Sequence, residues 1–168
     1  ARPRAARELE RLLQGEGAHA PASGIVSHLP ERVRNERPAS APHSIAEELW
    51  HIVFWQNHCL QWAQSVTLDY PARADLTWRH FDRITNDEWN DLVLRFDAGL
   101  RTAASLARDP AILDRPSMLM EPNAAVLQPT VREVLVGCAV HNAYHLGRIV
   151  FLRQLLHEWP PSDGGDSW

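Results

Sequence analysis

The chain consists of long segments with helical spacing of apolar residues, separated by connections that contain glycine and proline. Three of these segments open with a capping box, in which a Ser or Thr side chain accepts a hydrogen bond from the amide three residues later and a glutamate there bonds back to the cap amide. The boxes are Ser44/Glu47, Thr85/Glu88 and Thr130/Glu133. They predict three long helices, over about residues 44–66, 85–107 and 130–159.

A shorter first helix is predicted from about Pro3 to Gln14, where Gly15 ends it. Glycine and proline interrupt the connection that follows, although Ser23 to Leu29 can add a helical turn or two. No sustained two-residue alternation is present, and Met118 to Met120 is at most a short extended piece. The pattern therefore predicts an all-α fold, a four-helix bundle with long crossover connections.

Composition is that of one globular domain. The chain has 168 residues, of which 45% are apolar and 23% are charged. We expect a single bundle domain over residues 1–161. A polar tail follows over residues 162–168, and its composition predicts disorder.

Charge and hydropathy exclude several functions. A net charge of −4 without a basic run argues against a nucleic-acid binder, and no stretch approaches the ~20 apolar residues of a membrane span. All 17 cationic residues are arginine, which excludes Schiff-base chemistry on lysine. No signal-peptide pattern opens the chain, and the two cysteines, Cys59 and Cys138, lie in helical segments, so a cytoplasmic location is expected.

The most informative motif is the pair His141 and His145 in the last predicted helix. This spacing places two imidazoles on one face of a helix, where they can bind one metal ion. The motif is not that of a zincin protease, because Asn142 stands where the zincin has its glutamate base.

The pair lies in the middle of an apolar stripe that should face the interior. At about 100° per residue, the stripe spans an arc of roughly 80° and contains Val134, Cys138, His141, His145, Arg148 and Leu152. Two imidazoles without partners would be costly to bury, and a metal ion would satisfy both. The alternative is a pair of core histidines bonded to hydroxyls or carbonyls, and the motif alone does not decide between the two interpretations.

A third ligand is sought on the second long helix, which offers His51 and His58. Burial favours His51, because it lies two turns from the cap among Trp50, Ile52 and Trp55. His58 stays the alternative third ligand. Cys138 is a candidate fourth ligand, three residues before His141, although a buried cysteine is first a small apolar side chain.

Two segments carry a resemblance to a known family. Residues 42–52, PHSIAEELWHI, and residues 141–149, HNAYHLGRI, resemble the two signature regions of the DinB/YfiT-like superfamily. The resemblance implies an all-α, four-helix bundle of up-down-down-up topology that holds a divalent ion with three histidines and water. Matched position by position, the ligands are His51, His141 and His145.

The resemblance also implies an activity. Characterised relatives are thiol-dependent transferases or isomerases that use low-molecular-weight thiols. Three neutral imidazoles leave the ion its full charge and an open position, which would activate a bound thiol or water for attack on an electrophilic small molecule. Zinc or nickel suits such a ligand set best, and the sequence shows no carboxylate placed as a base.

Arg148 is a departure from the family pattern, since many relatives have glutamine there. Its functional interpretation is an anion clamp beside the ion, and the alternative is a helix-edge arginine paired with a carboxylate.

The rival function is a non-catalytic, stress-related metal-binding protein that acts as a dimeric binding module. Seven tryptophans would suit a homodimer interface as readily as a substrate pocket.

Overall fold

The computed structural model describes residues 4–38, 40–119 and 128–161, and within these ranges the protein is helical, without strands. One isolated bridge joins Pro116 to Thr130. The helices are α1 Arg4–Gln14, α2 Ala22–Val26, α3 Glu31–Asn35, α4 Ile45–Ala63, α5 Asn86–Ala107, α6 Pro110–Leu113 and α7 Val131–Leu155. A 3-10 turn over Ala74–Thr77 lies in the connection between α4 and α5.

The three capping boxes are all present and set the starts of the long helices. Ser44, Thr85 and Thr130 each accept a hydrogen bond from the amide of the third helical residue, and its glutamate accepts one from the cap amide. These local bonds satisfy amides that have no partner inside the helix. The predicted starts are therefore confirmed.

The predicted ends of two helices were too late. α4 ends at Ala63 and α7 at Leu155, because the backbone turns into the left-handed region at Ser65 (φ 66°) and at His157 (φ 59°). α1 ends as predicted at Gly15, which has a φ of 73°.

Packing gives the bundle its up-down-down-up order. The start of α4 shares a core cluster with the start of α5 and the end of α7, whereas the end of α4 shares a second cluster with the end of α5 and the start of α7. α4 therefore runs parallel to α5 and antiparallel to α7. α1 packs against the end of α5 and the start of α7, since Leu9 and Leu13 belong to the second cluster and Glu10 pairs with Arg108 at the end of α5. The predicted fold class is confirmed.

The connection between α1 and α4 is more ordered than the sequence indicated. It contains α2 and α3, of which only the region of α2 was predicted as a turn or two. The buried guanidinium of Arg153 on α7 donates to the carbonyl oxygens of Gly24, Ile25 and Ser27, at 2.6–3.3 Å. A distant arginine thus caps the C-terminal end of the short helix α2, together with the hydroxyl of Ser27, which donates to the carbonyl oxygen of Gly24 at 3.0 Å.

Some sequence predictions concern residues at the edges of the described ranges. Pro3, Met120 and the polar tail over residues 162–168 lie outside the described residues. Met118 donates its amide to the carbonyl oxygen of Trp62. None of the described helices has the length and apolar character needed to cross a membrane.

A buried polar layer connects α4 to α5 and α7. The side-chain amide of Gln56 donates to the carbonyl oxygen of Phe96 on α5 and accepts from Asn142 on α7, both at 3.0 Å. Gly99 on α5 makes room for it, since a Cβ there would lie 1.8 Å from Nε2 of Gln56. The glycine is therefore required by close approach, despite its cost inside a helix.

We predict that Gly99→Ala lowers the free energy of unfolding by about 1–3 kcal/mol, because Gln56 must leave its buried position. Gly137→Ala is the control, since a Cβ at Gly137 meets nothing within 4 Å. That control should gain up to about 1 kcal/mol from helix propensity. Urea unfolding measures both, and equal stability of the two variants would contradict the assigned role of Gly99.

Candidate metal centre

Three histidines from two helices converge in the bundle. His51 lies on α4, and His141 and His145 lie one turn apart on α7. One nitrogen of each ring can be chosen so that the three atoms lie within 4.8 Å of one another, and Nε2 of His51 is 3.3 Å from Nε2 of His141. Among the described residues, this is the group of side chains that could hold a metal ion.

The ring of His51 is oriented by the connection between α4 and α5. Its Nδ1 lies 2.6 Å from the carbonyl oxygen of Thr77. Because a carbonyl oxygen only accepts, Nδ1 must carry the proton and Nε2 keeps the lone pair. The backbone hydrogen bond therefore leaves Nε2 of His51 free to act as a ligand.

Trp78 fixes the plane of the same ring. Its indole stacks on His51 with ring centroids 3.8 Å apart and on His43 with centroids 3.6 Å apart, both nearly parallel. Trp78 thus lies between two imidazoles. No local pattern in the sequence indicated this contact, because it depends on how the connection folds back over α4.

Glu48 orients the second ligand candidate and was missed by the sequence analysis. Its side chain is fully buried, and Oε2 lies 2.7 Å from Nδ1 of His145. A carboxylate accepts, so Nδ1 of His145 carries the proton and Nε2 has the lone pair. A carboxylate behind a histidine is a common way to fix the tautomer and raise the basicity of a metal ligand.

The sequence did contain a signal for Glu48. It stands three residues before His51, on the same side of α4, in a run of residues that are buried in the bundle. A glutamate at such a position needs partners.

Arg148 is one of those partners. Its Nε donates to Oε1 of Glu48 at 2.8 Å, and a terminal nitrogen donates to the Tyr144 hydroxyl at 3.4 Å. Arg148 thus forms the ion pair that was its alternative interpretation. The side chain remains about one-third exposed, at 34%, so its role as an anion clamp stays a prediction.

The environment keeps the imidazoles of His51 and His141 neutral. Burial, together with the neighbouring imidazoles, lowers the pKa of His51 and of His141 to about 4. At neutral pH these two rings are therefore uncharged, which is the form that binds metal.

His141 has an unsatisfied nitrogen. Its Nδ1 is buried without a hydrogen-bond partner, and so is Oδ1 of the adjacent Asn142, whose Nδ2 is used by Gln56. A buried imidazole with one nitrogen unpaired and the other facing a second imidazole is a poor arrangement for a core histidine. The donor set as a whole, three imidazole nitrogens within 4.8 Å of one another, fits a divalent transition-metal ion.

The two further ligand candidates lie outside this group. His58 bonds through Nδ1 to the carbonyl oxygen of Phe54 at 2.9 Å and packs on the ring of Phe54. Cys138 is buried, and its thiol is hydrogen-bonded to Cys59. This bond and burial raise the pKa of Cys138, which disfavours the thiolate needed for ligation.

Comparison with known proteins identifies the family. A family model described as the DinB superfamily matches residues 14–149, which is most of the chain. The chain therefore belongs to the DinB superfamily. Searches of curated proteins and of solved structures gave no match. The family match agrees with the resemblance of the two signature segments, and it does not assign an activity.

The lowered pKa values predict a pH-dependent stability of the chain without metal. Unfolded histidines titrate near a pKa of about 6.5, whereas His51 and His141 titrate near about 4 in the folded protein. Between these values the unfolded state binds more protons, so the free energy of unfolding falls as the pH is lowered. We expect a loss of about 3–4 kcal/mol from these two residues between pH ~7 and ~5.

Urea unfolding of chelator-treated protein at the two pH values measures this loss. Asn has no titrating ring, so His141→Asn should lose less stability than the parent over the same interval. An equal pH dependence of parent and variant would show that His141 is not the source.

Proposed function

We propose that this member of the DinB superfamily binds one divalent transition-metal ion through His51, His141 and His145 and uses it to convert a small electrophilic molecule. The observation that carries the proposal is the convergence of three imidazoles, two of which are already oriented through Nδ1 by Thr77 and Glu48. Zinc and nickel are the ions that we expect, because imidazole nitrogens suit late first-row transition metals.

The proposed reaction requires few side chains besides the three histidines. When bound, an ion with three neutral ligands keeps its charge and an open position, and it acts as a Lewis acid towards a small thiol or a water molecule. The protein contributes rigid placement of the ligands. His51 is held by Thr77 and the indole of Trp78, and His145 is held by Glu48.

Glu48 is a positioning residue rather than a proton acceptor for substrate. One of its oxygens bonds to His145 and the other to Arg148, and the side chain is fully buried. Its negative charge also offsets part of the charge of a bound ion, which favours cation binding. The reaction class that fits best is attack by the activated thiol or water, as in a thiol-dependent transferase or a hydrolase.

Arg148 gives the site a second recognition element. Its Nε and one terminal nitrogen are engaged by Glu48 and Tyr144, and the partly exposed guanidinium has further N–H groups for an anion. We propose that it binds an anionic group of the substrate, one helical turn beyond His145.

The alternative function is a non-catalytic, metal-binding homodimer. It is favoured by apolar side chains on the outer face of α7, of which Val140, Phe151 and Leu155 are 59%, 59% and 46% exposed. Turnover separates the two functions. A metal-replete parent that consumes thiol with an electrophile, or hydrolyses an ester or amide, while His51→Ala does not, supports the enzyme; no turnover in a broad screen supports the dimeric module.

Metal binding itself is tested by single substitutions. We predict that His51→Ala, His141→Ala and His145→Ala each weaken Zn²⁺ binding at least about 100-fold, because each removes one of three protein ligands. His58→Gln is the control and should bind like the parent. Calorimetric titration of protein made without an affinity tag gives affinity and stoichiometry. Parent-like binding by His141→Ala and His145→Ala would refute the site.

The role of Arg148 is tested with Arg148→Gln. We expect this variant to keep its zinc but to lose about tenfold in affinity for a small carboxylate such as succinate, because the charge-assisted hydrogen bonds are lost. Arg132→Gln is the matched control, since Arg132 lies on the same helix and pairs with Asp114 instead. Unchanged succinate affinity in Arg148→Gln would remove Arg148 from substrate binding.

A further inference from the structure

A cavity of about 550 Å³ lies beside the histidine group, with His141 in its wall. It is formed by side chains of α4 and α7 and by parts of the connections that follow α4 and precede α7. This volume is in the range of small-molecule binding sites. Of the three histidines, only His141 lines this cavity.

Three aromatic side chains line it. The ring planes of Trp62 and Tyr70 are parallel within 2°, with centroids 6.0 Å apart, and Trp55 lies 5.3 Å from Tyr70. Trp62 is itself only 2% exposed, so the faces open to a guest are those of Tyr70, which is 37% exposed, and of the half-buried Trp55. A planar ring can stack on these flat, polarisable surfaces. They favour an aromatic guest over a flexible polar one.

The charge of the lining argues against an anionic guest. Among the described residues that line the cavity, Glu133 is the one with a formal charge at neutral pH, and it is negative. Its carboxylate accepts from the amide and hydroxyl of Thr130 at the start of α7. An anionic group placed in this cavity would lose hydration and would meet no arginine among the described lining residues.

Gly137 provides open space in the wall formed by α7. A Cβ at this position would meet nothing within 4 Å, although the residue lies in the middle of a helix. The missing side chain therefore enlarges the cavity one helical turn before His141.

We infer that this cavity binds an uncharged, planar aromatic part of the substrate and places its reactive group at the histidine centre. The inference rests on the proposed function for the role of that centre, but ring binding in the cavity requires no metal. The two ends of the site then bind different parts of the substrate. An aromatic ring stacks in the cavity on the near side of His141, and an anionic group binds to Arg148 beyond His145.

The test uses two fluorescent probes of one scaffold, neutral N-phenylnaphthylamine and its anionic analogue anilinonaphthalene sulfonate. Both are titrated into the full chain without added metal, so that no bound cation attracts the sulfonate. The neutral probe should bind at least about tenfold more tightly. Gly137→Leu should weaken its binding about tenfold or more, because the leucine fills the cavity.

Gly147→Leu is the matched control. Gly147 also lies in α7, a Cβ there also meets nothing within 4 Å, and it lines a different cavity. Parent-like probe binding in Gly147→Leu together with loss in Gly137→Leu supports the inference. Equal affinity for the two probes, or parent-like neutral-probe binding in Gly137→Leu, overturns it.

Zinc titration of the same variants keeps this test separate from that of the proposed function. Gly137→Leu should bind Zn²⁺ like the parent, which also shows that it is folded. If the neutral probe binds as expected but the parent takes up no metal, the proposed function fails and the aromatic site stands.

Discussion

The buried charge of Glu48 is the constraint on which the centre of this bundle depends. A fully buried carboxylate on α4 is unfavourable unless its oxygens are paired, and both partners, His145 and Arg148, come from α7. The need for pairing fixes the position and rotation of α7 against α4. The same contacts decide which nitrogen of His145 faces His51. Helix packing and ligand geometry are therefore set by one ion-pair network.

Around this network the bundle is divided into layers along its axis. One apolar cluster packs the start of α4 against the start of α5, and a second packs its end against the end of α5. Between them, Gln56 connects three helices through Phe96 and Asn142. A polar layer in which most groups are paired specifies the register of the helices, because any axial slip leaves buried amides without partners. The histidine group lies next to this layer, whose hydrogen bonds hold the ligand-bearing helices in register.

The sequence predicted what is encoded locally and missed what depends on distant packing. The starts of the long helices were predictable because a capping box involves residues three apart, and the pairing of His141 with His145 follows from helix periodicity. The helix ends near Ser65 and His157 were not predictable, because neither a serine nor a histidine by itself indicates a left-handed backbone. Glu48 and Trp78 were missed because their partners come from other elements. A helical turn or two was predicted in the region of α2, but the sequence did not indicate that Arg153, from the far end of the chain, binds the carbonyls that end this helix.

The separation of the histidines along the chain has a consequence for assembly. His51 and His141 are 90 residues apart, and the intervening chain must fold before their nitrogens meet. During synthesis α4 leaves the ribosome long before α7, so the nascent chain has only one imidazole of the group to offer. The complete ligand set exists only after the last helix has docked. In the function proposed above, a metal ion would therefore meet all three ligands only on the folded bundle, and the ion bound would depend on the metals present after synthesis is complete.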